Sequence, residues 1–154
     1  MNSLKRFAVI LLLLQAVALP AKAEGLMMVR SQLPFEDALS ALEIAIQDQG
    51  YAVTRLQQVN ENLAKRAYKS DMYRVVFFGK LSEIRPLAAS HPDLIPFLPL
   101  HITLFAEGKD TIVLCAPPTD LEEWYPDPKL KPIFEHWEHD MRLILNRMQQ
   151  QKSL

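Results

Sequence analysis

Two spacings of apolar residues alternate along this chain, one suited to strands and one to helices. Glu24 to Ser31 contains Leu26-Met27-Met28-Val29 and reads as a first strand. Pro34 suits the first turn of a helix, where a missing N–H costs nothing. Glu36 and Asp37 then complement the positive end of the helix dipole. Phe35, Leu39, Leu42 and Ile46 recur at helical spacing, with Ala38 and Ala45 beside them, and Gly50 supplies a left-handed cap. Tyr51 to Val59 alternates loosely as a second strand. Asn60 to Tyr68 predicts a short helical turn with Asn60 as its cap.

Met72 to Phe78 (MYRVVFF) is strongly β-prone and is closed by Gly79. Leu81 to Ser90 has helical spacing but contains Pro86, which predicts a short or irregular helix. His91 to Pro99 is proline-rich and predicts a rigid extended connector. Leu100–Ala106 and Thr111–Ala116 form a hairpin about the turn Glu107-Gly108-Lys109-Asp110. Thr119 opens a short turn through Trp124 and Tyr125. A long helix follows from about Pro132 to Gln150, with Phe134, Trp137, Met141, Ile144, Leu145 and Met148 on one stripe. The order is β-α-β-β-α-β-β-α. Hairpin-connected strands with helices packed on them predict an α+β domain with a mainly antiparallel sheet.

The strand patterns carry a further expectation. Leu100, Ile102 and Leu104 share one face of their strand, and His101, Thr103 and Phe105 share the other. Tyr73, Val75 and Phe77 similarly oppose Val76 and Phe78. Both faces are fairly apolar, whereas a sheet with one solvated face alternates more cleanly. The C-terminal helix or a second copy of the chain must cover the second face, and a homodimer is expected on that ground.

The N-terminus changes the setting. Lys5 and Arg6 precede the apolar run Phe7–Leu19, and Ala21-Lys22-Ala23 follows in the small-x-small pattern of a signal peptidase site. The run is shorter than the roughly 20 residues of a membrane span. Residues 1–23 are therefore expected to be a signal peptide cut after Ala23, with 24–154 a single domain in the periplasm or secreted. That domain has 131 residues and a formal charge of −4. A mildly acidic chain without a Lys/Arg block argues against nucleic acid, and no second apolar run predicts a membrane anchor after cleavage. Cys115 is the one cysteine, which rules out an intrachain disulfide; its apolar surroundings predict an inert buried thiol.

Candidate chemistry is sparse. His136 and His139, three residues apart on the last helix, have the spacing to share Zn²⁺ or Cu²⁺, with Glu135, Glu138 and Asp140 nearby. The helical wheel turns both outward, as on a solvated face. His101 lies in a strand and suits an axial ligand or a general base. Met27, Met28 and Met72 are soft donors that also fill cores. Arg74, inside an apolar strand, needs a carboxylate partner or an anionic ligand. His101 and Arg74 are the candidate ligand-binding pair; His136, His139 and His101 are the candidate metal ligands. Nucleotide-binding, hydrolase and metalloprotease motifs are absent, and no C-x-x-C-H is present for covalent haem.

The segments Gln49-Gly50-Tyr51, Tyr73-Arg74-Val75-Val76-Phe77-Phe78-Gly79, His91-Pro92-Asp93-Leu94 and Phe97-Leu98-Pro99-Leu100-His101 resemble the bacterial domain of unknown function 302 family over about residues 25–145. The resemblance implies a small α+β fold that often pairs as a dimer, with no established activity. The expected function is an exported domain that binds a small molecule or a periplasmic protein without catalytic machinery. The alternative is a metal- or haem-binding accessory protein for redox chemistry, holding a transition metal or non-covalent haem through His101 and His136/His139.

Overall fold

Pro34 and Gly50 bracket the first helix. The computed structural model describes residues 25–66 and 71–151; the expected signal peptide and the end of the turn predicted over Asn60–Tyr68 lie outside the described residues. Strand β1 (Met27–Ser31) leads into α1 (Phe35–Asp48), whose Ala38 N–H donates to the Pro34 carbonyl at 2.9 Å. Phe35, Ala38, Leu39, Leu42, Ala45 and Ile46 are buried, which is the face their spacing predicts. At Gly50 the backbone takes φ 77°, a conformation that costs a side chain with a Cβ. The reversal lets the Tyr51 N–H reach back to the Ile46 carbonyl at 3.2 Å.

Next come β2 (Ala52–Gln58), a short helix α2 (Val59–Ala64), β3 (Tyr73–Gly79) and α3 (Leu81–Ser90). The hairpin is β4 (Leu100–Glu107) and β5 (Asp110–Cys115), and the long helix is α4 (Lys131–Gln150). The five strands form one antiparallel sheet in the order β1-β5-β4-β3-β2. Because β1 and β2 lie at opposite edges, α1 crosses the sheet between them. It meets α4 on the same face, and the two helices close one core with Val76, Phe78, Ile102, Leu104, Val113 and Cys115. Phe134, Trp137, Ile144 and Met148 of α4 are almost completely buried there. Each such side chain contributes on the order of 2–3 kcal/mol through removal from water.

Three local expectations change in the structure. Pro92–Phe97 is a 3₁₀ helix rather than an extended connector. Proline's φ also fits the start of a helical turn, and the turn drives Leu94 into the core at 1 % exposure. Asn60 lies inside α2 rather than before it, and its Oδ1 accepts from Arg74. Helix α3 continues through Pro86 over ten residues. The bond that Pro86 cannot make falls to the carbonyl of Ser82, an exposed residue that water can serve.

One carboxylate lies among the apolar side chains of the α4 core stripe. Asp140 is 6 % exposed, and three polar side chains converge on its Oδ2. The Tyr51 hydroxyl donates at 2.8 Å, Lys80 Nζ stands at 3.4 Å, and His136 Nε2 stands at 3.4 Å. Lys80 Nζ also sits 4.0 Å from the centre of the Tyr51 ring. This cluster ties α4 to the end of the β2–β3 pairing where Ala52 faces Gly79. Burial, and then the bond to Asp140, push the Tyr51 phenol far above its usual pKa. Burial likewise pushes the Cys115 thiol up to about 12, which leaves it protonated and inert at neutral pH.

Removing Asp140 should therefore strand the Tyr51 hydroxyl and leave Lys80 with Glu83, 3.7 Å away, as its carboxylate neighbour. Asp140→Ala is expected to lower the unfolding free energy by about 1–3 kcal/mol, read as a shifted urea midpoint at unchanged slope. A midpoint equal to that of the parent chain would show that the cluster contributes nothing.

Candidate functional site

The register of the sheet sorts the remaining polar and aromatic residues. On the face away from α1 and α4 run three cross-strand rows. One is Met28, Leu114, Thr103, Val75 and Gln57; the next is Arg30, Ile112, Phe105 and Tyr73. The third holds His101, Phe77 and Arg55, with the Arg55 guanidinium 4.2 Å above the Phe77 ring and the His101 ring 5.5 Å from it. Met28 is 63 % exposed, and Tyr73, Val75, Phe77, Thr103, Phe105 and Leu114 are half-buried. Both long helices pack on the opposite face, so neither covers these rows.

Beside the third row, at the start of β4, the sheet face gives way to a cavity of about 520 Å³. Phe77, Leu100 and His101 form its sheet wall and Met141 of α4 reaches it from the core side. Two proline-bounded turns make the outer walls. The first is the 3₁₀ helix Pro92–Phe97 and the residues Leu98 and Pro99 after it; the second is a 3₁₀ helix over Pro118–Glu123 with Trp124. Proline at both turns limits the backbone and holds these walls in place without a regular ladder.

Side-chain bonds then lock the two turns together. The Tyr125 hydroxyl donates to the Asp93 carbonyl at 2.8 Å, and His91 Nε2 lies 3.4 Å from Asp127 Oδ2. The Phe97 ring meets Trp124 edge to face at 5.7 Å and Tyr125 at 5.9 Å. The second turn is fastened to α4 by Thr119, which donates to Glu138, and by Lys131, which pairs with Glu122 at 3.2 Å. The cavity is thus pre-formed, mainly apolar and aromatic, with a few polar groups at its margin, as ligand sites commonly are.

The predicted ligand pair is not brought together. His101 lies on the open face, opposite Phe77, whereas Arg74 is paired with Leu104 on the helix-covered face. A one-residue offset along a strand reverses the face, so 101 and 74 diverge although their strands are adjacent. Arg74 is 8 % exposed; its guanidinium donates to Asn60 Oδ1 and to the Tyr73 carbonyl, and stands 5.6 Å from the Phe35 ring. It holds α2 and α1 to the sheet. His136 and His139 are exposed on α4, with His136 turned to Asp140, and His101 stands apart from both on the other side of the sheet. Among the described residues no group of three or more His, Cys, Asp or Glu side chains is placed to hold a metal ion. No helix among them is long and apolar enough to cross a membrane.

Phe97, Leu121, Glu123 and Trp124 are cavity residues that sequence reasoning passed over. The available signal was an exposed tryptophan beside an acidic pair, in one of two proline-bounded segments.

The ring of His101 is partly desolvated in this position, which lowers its pKa below the ordinary histidine value. It is therefore neutral at pH 7 and able both to donate and to accept a hydrogen bond. Folding lowers this pKa, so the unfolded chain takes up the proton first. The group's share of stability is present above pH 6.5 and is lost as the pH falls below it. An NMR titration of the imidazole carbons is expected to place His101 below 6.5 in the folded chain; a midpoint at or above that value contradicts the desolvation.

The comparisons with known proteins agree with this architecture. A crystal structure titled as an uncharacterized conserved protein DUF302 from Bacillus stearothermophilus superposes with a TM-score of 0.73 at 21% identity, covering 80% of this chain and 97% of that one. At that identity the likeness speaks for the fold. No curated protein matches the chain. The model of the family described as "Domain of unknown function DUF302" matches residues 27–148, from the start of β1 to within two residues of the end of α4, and the chain belongs to that family.

Proposed function

We propose that the protein is an exported binding domain. Its cavity takes a small, largely apolar molecule and its open sheet face pairs with a second copy. The cavity carries the first part of this reading. Its walls are already in place, its lining is apolar and aromatic, and His101 offers one neutral polar contact at the margin. Among the described residues lining it no nucleophile stands beside a base, so the arrangement favours holding over turning over. The basic, apolar and small-residue succession over residues 1–23 supports a place of work outside the cytoplasm.

The second part rests on the three rows of the open face. Val75, Thr103, Phe105 and Leu114 lie at the centre of the sheet, away from its edges. The charge of Arg30 on this face is engaged by Glu107 and by Asp110 at 3.3 Å. A second copy brings the same apolar rows about a two-fold axis and meets them with like chemistry.

A neutral naphthylamine dye, N-phenyl-1-naphthylamine, tests the cavity. Its fluorescence is expected to rise on addition of the protein, and an Ala116→Trp substitution, which places an indole in the cavity wall, should remove at least about nine-tenths of that rise. An unchanged signal in that variant, or no signal with the parent chain, defeats the reading. Light scattering at micromolar concentration tests the pairing. The mass of two chains is expected, falling to one chain in Val75→Asp, where a buried unpaired carboxylate costs several kcal/mol. A monomer from the parent chain defeats it.

A further inference from the structure

We infer that the cavity selects small organic cations, such as a protonated or quaternary amine carried on an apolar body. The inference rests on the cavity being a binding site and names the chemistry of what it binds. Three observations carry it. None of the fifteen lining residues is Lys or Arg, while two, Asp120 and Glu123, are carboxylates. A carboxylate or phosphate ligand therefore finds no counter-charge in the wall, and a cation finds Glu123. Trp124 lines the same cavity yet is 67 % exposed, an uncommon state for the largest apolar side chain. It is not loose: Phe97 holds its ring edge to face, and Phe97 is itself held by Tyr125, whose hydroxyl is bonded to the Asp93 carbonyl.

An indole face fixed at the mouth of an apolar cavity, with the exposed Glu123 carboxylate beside it in the chain, is the arrangement that attracts an ammonium group. The ring quadrupole draws the cation, and the cavity behind it takes the apolar body. Exposure of the ring is then the condition of its use, since the charged head stays near water while the body is buried. His101, neutral at pH 7, adds no positive charge to oppose the ligand.

Three probes of one shape separate the possibilities by titration calorimetry on the purified chain at pH 7.5. Benzyltrimethylammonium carries the charge, neopentylbenzene is its neutral isostere, and phenylacetate is an anionic relative. The cation is expected to bind at least about tenfold more tightly than the neutral isostere, with no binding of the anion. Glu123→Gln and Trp124→Ala should each weaken the cation several-fold and leave the neutral probe within about twofold in the glutamine variant. Both residues are exposed, so both variants are expected to keep the parent melting curve. Equal affinity for the cation and the neutral isostere overturns the charge selection and leaves the cavity as an apolar site. Tighter binding of phenylacetate overturns it as well. Failure of all three probes to bind overturns this inference and counts against the cavity as a binding site.

Discussion

Everything distinctive about this molecule follows from the packing of α1 and α4 against the same face of the sheet. Ile46, Phe134, Trp137, Ile144 and Met148 close over Val76, Phe78, Ile102 and Leu104, and water is excluded from one side only. Groups caught on that side are forced into defined states. The Cys115 thiol stays protonated, Arg74 becomes a tie between helices and sheet, and Asp140 gathers Tyr51, Lys80 and His136 around one oxygen. A buried carboxylate left without donors is costly, so the convergence on Asp140 is what allows a charge in the centre of the α4 stripe.

The other side of the sheet is shaped by what the helices leave uncovered. The same strands that send Ile102 and Leu104 inward must send His101, Thr103 and Phe105 outward, because side chains alternate. Apolar residues at those outward positions are only partly covered within the chain. The two proline-bounded turns then meet at one end of this face and enclose the cavity, with α4 reaching its floor through Met141. Core, open face and cavity are thus three consequences of one layer arrangement, and function is sought where the layer stops.

Much of the architecture was legible because it depends on local rules. The 3.6-residue spacing of Phe35, Leu39, Leu42 and Ile46, the positive φ required at Gly50, and the hairpin turn at Gly108 each act within a few residues of themselves. The proline segment 92–97 was misread for an equally physical reason. Proline's φ suits both an extended strand and the first turn of a helix, and only the pull of the core on Leu94 decides between them. The site was less legible. Phe97 and Trp124 lie 27 positions apart in the chain and meet only because two turns fold to the same end of the sheet.

By itself, the sequence determined the strands and the two long helices, the α+β class, the likeness to the DUF302 family and the apolar character of both sheet faces, since each is written in spacing and residue type. Tertiary structure alone decided that His101 and Arg74 part to opposite faces and that α4 lies beside α1 rather than over the second face. It alone assembled a cavity from two distant turns. Periodicity states which residues share a side; it does not state which side meets which neighbour, because that choice is made by contacts between segments far apart in the chain.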